Sequence, residues 1–286
     1  MKRVFVYNNR RKESLNVKNQ VMSLLRRHQF ELTKKNPEVI LVIGGDGTML
    51  SAIRSLGEMQ IPFLGVNTGS LGFLPGLLPH EIDQLPALLG NDKFYVDSFP
   101  LLEVVSHTVR GKEVVNYAFN EMIIKHYNPR LMEAHIYINK RPFNYFTGDG
   151  LIVSTPIGTT GYAIWAGGAA IHSELDVFQI TPLQPNDNRI NRPLKNSLVL
   201  PANSEIQIKV ILAHRRSAMV ACDGVVVSED HIQDVTIRLA DRRVKILRAG
   251  KSNYFDLYRN KIIDKNIFRY LKEAEKETED ENTLDQ

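Results

Sequence analysis

The sequence predicts an α/β protein in two parts: an N-terminal parallel-sheet α/β domain over residues 1–100, followed by an all-β sandwich domain over 101–252. Three observations predict it. Strand and helix signals alternate up to Pro100, short alternating runs divided by turn residues fill the stretch after it, and helical spacing returns only from Phe255. That last stretch predicts a C-terminal helix over 253–272 packing back on the first domain, ahead of an acidic tail over 273–286.

In the first part, Val4–Tyr7 is a short apolar strand, and Val17, Val21, Leu24 and Leu25 recur at helical spacing in the polar stretch that follows. Val39-Ile40-Leu41-Val42-Ile43 is apolar throughout, as a strand covered on both faces must be. Gly44-Gly45-Asp46-Gly47-Thr48 breaks it, and Met49, Leu50 and Ile53 start a helix. Phe63–Val66 is a third strand with another glycine-bearing turn behind it, and Ile82, Leu85, Leu88 and Leu89 mark a helix ending at Gly90. Such alternation implies a parallel sheet with right-handed crossovers. In the second part the runs are Leu101–Val105, Val114–Ile124, His135–Ile138, Leu151–Ser154, Ser197–Leu200, Ile206–Ile211, Ala218–Ala221, Val235–Leu239 and Val244–Leu247. Two packed sheets accommodate that rhythm.

Composition narrows the function classes. Of 286 residues, 43% are apolar and 24% charged, an ordinary globular balance. Cys222 is the single cysteine, so no disulfide can form within the chain, and a reducing compartment is expected. Met1-Lys2-Arg3 runs straight into a strand and no stretch reaches the ~20 apolar residues of a membrane span, so the expectation is a cytoplasmic protein without a membrane partner. The net charge of +4 combines a tail of −6 over 273–286 with +10 on residues 1–272. The basic residues form no stripe and do not interleave with aromatics, so a small polyanion such as a nucleotide is the expected partner, and no nucleic acid.

Residues 44–48 sit where a buried strand ends and a helix begins, the position at which glycines and free N–H groups receive phosphate. A carboxylate among them opposes a bound anion. Asp46 therefore either takes a proton from an attacking hydroxyl, holds a metal near the phosphate, or caps the helix. Asn67–Leu74 is a second glycine turn that closes the same crevice or is a tight loop. Asn120-Glu121 stands inside an apolar strand run, either bound to a ribose and an adenine edge or facing solvent. Residues 148–168 concentrate glycines and hydroxyls that line a polar cleft, with Tyr162 as a flat surface and Asp149 as an acceptor, or form a structural loop. Asp223-Gly224 reads as a hairpin turn. The eight histidines have no metal-ligand spacing, no catalytic triad stands out, and neither a standard phosphate loop nor G-x-G-x-x-G occurs.

In that order, GGDGT at 44–48, NTGSLGFL at 67–74, NE at 120–121 and GDGLIVSTPIGTTGYAIWAGG at 148–168 resemble the NAD kinase family, from about Val39 to Leu200, and its Gram-positive bacterial branch in 186–201. GGDGT alone is shared with lipid kinases of the diacylglycerol and sphingosine type; the 148–168 segment is the specific one. The resemblance implies an α/β domain and a β-sandwich with the site between them, usually in a homodimer or homotetramer. It implies ATP with Mg²⁺ and NAD as substrates, and transfer to the adenosine 2′-hydroxyl. Asp46 matches the family's proton acceptor, and Gly44, Gly45 and Gly47 lie against phosphates. Asn120 and Glu121 hold adenosine and ribose. Thr160, Gly161 and Tyr162, continuing into Ala163, Ile164 and Trp165, line the adenine end. Asp149 faces the nicotinamide side across a subunit boundary, and Gln184 reaches a neighbouring subunit's ligand. No metal is held by the protein alone. Four positions depart from the family pattern: Thr147 for Arg or Lys, Ile157 for Thr or Ser, Gly161 for Ala, and Trp165 for Ser. Two rivals remain: a lipid kinase, and a non-catalytic dinucleotide-binding regulator, which would lack the catalytic carboxylate that Asp46 supplies here.

Overall fold

A computed structural model describes residues 2–68, 72, 74, 76–91, 93–187, 191–211, 218–228, 232–250 and 253–263. The chain divides into two compact units, Met1–Lys251 and Ser252–Gln286.

The first unit begins with β1 (Arg3–Asn8), α1 (Lys12–Arg27), β2 (Glu31–Leu32), β3 (Val39–Ile43), α2 (Asp46–Leu56), β4 (Phe63–Val66) and α3 (Leu85–Asn91). The strands are parallel in the order β2-β1-β3-β4. β3 is buried at every residue because both its faces are covered. Val39, Leu41 and Ile43 pack with Val17, Val21 and Leu25 of α1, while Ile40 and Val42 pack with Met49, Ala52 and Ile53 of α2. Each such side chain is worth about 1.5–3 kcal/mol on full burial, so β3 anchors both layers. The helix expected through Ile82–Leu89 is split, with a 3-10 stretch at Pro79–Gln84 before α3.

The sandwich follows as β5 (Tyr95–Thr108), β6 (Glu113–Ala118), β7 (Glu121–His126), β8 (Met132–Ile138), β9 (Arg141–Gly148), β10 (Gly150–Ser154), the single turn α4 (Tyr162–Trp165), β11 (Val177–Leu183), β12 (Leu198–Pro201), β13 (Glu205–Val210), β14 (Ala218–Cys222), β15 (Val225–Ser228) and β16 (Ile232–Arg248). One sheet runs β12-β11-β10-β7-β14-β15. The facing sheet contains β5, β6, β8, β9, β13 and β16, and is continuous with the parallel strands. Inward residues of both layers, among them Met122, Phe146, Leu151, Phe178, Ile206 and Ile237, form the core between them.

Two sequence expectations change here. Val235–Leu239 and Val244–Leu247 are one strand, β16, with a register shift between Leu239 and Arg243. Its beginning pairs antiparallel with β13 and its end pairs parallel with β4, so this single strand ties the two architectures together. β5 runs beside it throughout, and the position 100/101 lies inside β5. Second, the run Val114–Ile124 is not one strand. It breaks at Phe119-Asn120, where the chain leaves β6 in one sheet and enters β7 in the other.

In the second unit, α5 (Tyr254–Tyr258) starts at Asn253, whose side chain accepts the Phe255 N–H, and continues into a wider turn over Arg259–Ile263. The rest of the expected 253–272 helix and the acidic tail lie outside the described residues.

Candidate active site

Three parallel strands end side by side at one edge of the first layer. Asn8 is in register with Ile43, and Ile43 with Val66. The first two glycine turns of the sequence are therefore adjacent, and the Gly44 N–H donates to the Val66 carbonyl at 3.0 Å. Side chains brace the turn: the Asn9 amide donates to Thr48 Oγ1 at 2.8 Å, and the hydroxyls of Tyr7 and Ser51 meet at 2.8 Å. A pocket of about 350 Å³ opens against the start of α2, lined by Tyr7, Asn9, Arg11, Gly45, Gly47 and Thr48 among others. The positive end of an eleven-residue helix and the Arg11 guanidinium converge there.

Asp46 is the first residue of α2, and Gly45 occupies the capping position. The half-buried Asp46 carboxylate reaches across the crevice, where Oδ1 accepts the Leu74 N–H at 3.3 Å. Gly72 lies against it: a Cβ there would stand 1.8 Å from Asp46 Oδ1. Only a residue without a side chain leaves this carboxylate its present position. Residues 69–71 and 73 of the second turn lie outside the described residues.

A second wall is built where the chain crosses between sheets, at Phe119, which packs in one cluster with Met49 and Ile53 of α2. Asp223, on the β14–β15 turn with φ 47°, is more than the hairpin residue that the sequence suggests. Its carboxylate accepts the backbone N–H groups of Phe119, Asn120 and Glu121 at 2.8, 2.7 and 3.2 Å, and its own N–H donates to the Glu121 carbonyl at 3.0 Å. Three charge-assisted bonds hold Asn120 half-exposed at the crossing while Glu121 turns inward. Phe119 anchors the same segment edge-on against Phe99, with ring centroids 5.7 Å apart. Glu121 is 9% exposed and its Oε2 has no hydrogen-bond partner. Burial, with the Asp223 charge second, pushes its carboxyl up to about 7. Burial raises Asp223 as well, against the three N–H groups and the Arg54 charge that favour its ionised form.

Residues 155–168 cover this wall. Thr155 Oγ1 donates to the Phe119 carbonyl at 2.7 Å, and a Cβ on Gly158 would stand 1.9 Å from the Asn120 carbonyl oxygen. The hydroxyls that the sequence suggested as a polar lining are turned to the segment's own backbone: Thr159 donates to Pro156 and Thr160 to Ile157, at 2.6 and 2.9 Å. Ile157 is buried in the cluster of Met49, Ile53 and Phe119. Gly161 approaches Glu121, Ala163 is buried and Ile164 half-buried, while Tyr162 and Trp165 are exposed, three residues apart on the one turn of α4.

Asp149 and Gln184 stand elsewhere. Ser154, at one end of β10, is in register with Glu121, whereas Gly150, at the other end, is in register with Lys125 and Leu183. The exposed Asp149 and Gln184 adjoin that far end, about four residue steps or ~13 Å along the strand from Ser154. Asp149 lines a separate cleft of about 690 Å³ with Lys125, Tyr127, Asn128, Arg130 and Leu131. At the same end Thr147 Oγ1 donates to the Asn186 carbonyl and accepts from Asn191, each at 3.0 Å. The site thus gathers Gly44–Gly47, Asn120, Glu121 and Thr160–Trp165 in the one unit and leaves Asp149 and Gln184 apart. Asn9, Arg11 and Asp223 are polar residues at these places that motif reading missed; the Asp-Gly pair of residues 223–224 was their one sequence signal.

No helix among the described residues is long and apolar enough to cross a membrane. The sequence profile of the ATP-NAD kinase N-terminal domain matches residues 5–94, and that of the ATP-NAD kinase C-terminal domain matches residues 119–249. The NAD kinase of Staphylococcus aureus (strain JH9) is 32% identical over 235 residues, covering 81% of this chain and 87% of its own. The crystal structure of yeast NADH kinase complexed with NADH superposes with a TM-score of 0.82 at 17% identity, over 93% of this chain and 88% of that one. The NAD kinase from Archaeoglobus fulgidus in complex with ATP superposes with a TM-score of 0.71 at 23% identity, over 91% and 98%. These two share the fold, and the profiles with the bacterial relative carry the assignment: the chain belongs to the NAD kinase family.

Proposed function

We propose that the protein phosphorylates NAD on the adenosine 2′-hydroxyl, taking the phosphate from ATP and working in the cytoplasm. The observation that carries this reading is the Asp46 carboxylate, placed at the carboxyl ends of the parallel strands and at the start of α2, against Gly72. Its neighbours Gly45 and Gly47 line a pocket fit for phosphates, and it stands in the same unit as the Asn120–Glu121 wall. NAD lies with its adenosine on that wall, held by Asn120 and Glu121, with Tyr162 and Trp165 beside the base. The ATP phosphates lie against Gly45 and Gly47 at the start of α2 and beside Arg11. Asp46 accepts the 2′-hydroxyl proton as that oxygen bonds to the γ-phosphorus. The bond from the γ-phosphorus to the bridging oxygen breaks, and its electron pair leaves with ADP. One carboxylate beside a phosphate pocket suits a Mg²⁺ ion that arrives on ATP. The ion supplies charge neutralisation on the phosphates.

The separation of Asp149 and Gln184 from the Asp46 side supports a homo-oligomer in which these residues serve a neighbouring subunit's NAD. Mixing Asp46→Asn with Asp149→Ala chains tests it: shared sites restore part of the activity in mixed oligomers, whereas sites complete within one chain restore none. The reaction itself is tested by following NADP⁺ formation from NAD⁺ and Mg·ATP. Absence of product, with NAD still bound, would favour the non-catalytic regulator.

A further inference from the structure

Glu121 is set in its site in a way that adenosine binding alone does not require. The residue is 9% exposed, its Oε2 is unpartnered, and directly across in register the Ser154 hydroxyl oxygen is also buried without a partner. Two adjoining polar atoms in a packed layer are thus left without a partner from the described residues, and each such atom calls for an explanation. Residue 161 packs against this carboxyl as a glycine: a Cβ there would stand 3.0 Å from Oε2 and press on it.

The groups around it decide its charge. Asp223, on the β14–β15 turn, is the facing carboxylate, and three backbone N–H groups stabilise its negative charge. Arg54 of α2 directs its charge to Asp223. Cys222, at the end of β14, is held as the thiol by burial first and by the Asp223 charge second. β10 presents Ser154, and the 157–161 turn presents Thr160 and Gly161, none of them charged. Two buried carboxyls side by side with donors for only one of them do not both ionise, so the proton stays on the one without donors.

We propose, on the strength of the NAD-binding reading above, that Glu121 is a neutral carboxylic acid in the resting site, and that this neutral form receives the adenosine ribose. As an acid, Glu121 both donates to and accepts from the sugar oxygens, and it adds no second negative charge beside Asp223 where a dinucleotide pyrophosphate must enter. Deprotonation above neutral pH removes the donor and adds that charge. Burial and the Asp223 charge displace its titration in the direction this requires.

The experiment has two arms on the full chain. In the first, the protein labelled with ¹³C at glutamate Cδ is titrated without ligand by NMR. One carboxyl resonance is expected to titrate near neutral pH and to vanish in Glu121→Gln; titration of every glutamate in the ordinary carboxylate range would overturn the proposal. In the second, NAD binding is measured by calorimetry from pH 6 to pH 8.5. Wild-type Kd is expected to rise at least fivefold with pH, while the Glu121→Gln Kd stays within twofold across the range, because the amide keeps the donor and never ionises. A pH-independent wild type, or a folded Glu121→Gln protein that no longer binds NAD, would overturn the proposal alone. Failure of the wild type to bind NAD at any pH would overturn the functional reading beneath it. The first arm and the wild-type profile need no variant to fold.

Discussion

The two walls of the crevice are made differently. The Asp46 wall is a strand, a glycine turn and a helix in unbroken succession, so its geometry follows from local rules of parallel sheets. The Asn120–Glu121 wall is assembled from segments a hundred residues apart, with Asp223 gripping the backbone at the point where the chain changes sheets. The first presents one carboxylate to solvent and the second buries two. A reacting group has to be reached, whereas a recognition wall has to hold its shape, and the buried acid pair is tolerated only because backbone donors satisfy one member.

The sharpest test of that contrast is Asp46→Asn. Loss of a general base typically costs 10²–10⁴-fold, so on the function proposed above kcat should fall by that order while NAD affinity, assigned there to the other wall, is kept. A near-normal kcat would remove Asp46 from the chemistry. Asp223→Ala should act on the other wall and on stability together. It deprives three N–H groups of their acceptor, so unfolding in urea should show a loss of roughly 3 kcal/mol and the KM for NAD should rise more than tenfold. An unchanged KM would mean that the Asn120–Glu121 backbone keeps its shape without the clamp.

Stability against pH separates the buried acid from the rest. The Glu121 carboxyl lies above its ordinary 4.5, at about 7. The protonated form is thus favoured by folding, and stability is fullest below the unfolded value and falls as pH rises towards about 7. On the order of 3 kcal/mol should separate pH 5 from pH 8 in wild type relative to Glu121→Gln. Parallel curves for the two proteins would place the proton elsewhere. Gly72→Ala should have the smallest effect on folding and a local one on function. The atom that a Cβ would meet is the free end of the Asp46 side chain, so the carboxylate swings aside. We expect a kcat loss of about tenfold or more with Tm within about 2 °C of wild type, measured by steady-state kinetics and thermal melting. A large drop in Tm would show that residue 72 supports the fold itself.

Much of the first wall was legible in advance. An apolar β-branched run, a glycine turn with one acid and a periodic apolar helix placed β3, Asp46 and α2 correctly, and the second glycine turn fell beside the first. The helix-capping alternative for Asp46 ended once Gly45 took that position. The second wall was legible only as an oddity, an amide and an acid in an apolar run. Its explanation, a strand break between two sheets, depends on pairings with β10 and β14 that leave no local mark. Asp223 was read as a turn former, which it is; nothing nearby in sequence announces the N–H groups that it accepts. The threonines of residues 155–160 promised a lining and instead pin their own loop, since a hydroxyl's composition signal is the same for either use.

By itself the sequence determined the architecture's two halves, the chemistry available at residues 44–48, and the family, because these depend on periodicity, turn residues and a contiguous motif. Tertiary structure alone decided that β16 belongs to both halves, that Gly72 makes room for the Asp46 carboxylate, that Glu121 and Asp223 adjoin, and that Asp149 and Gln184 stand apart from them. Those are facts of long-range pairing and desolvation. A residue's type sets what it can do, and only its neighbours set its charge and its partner.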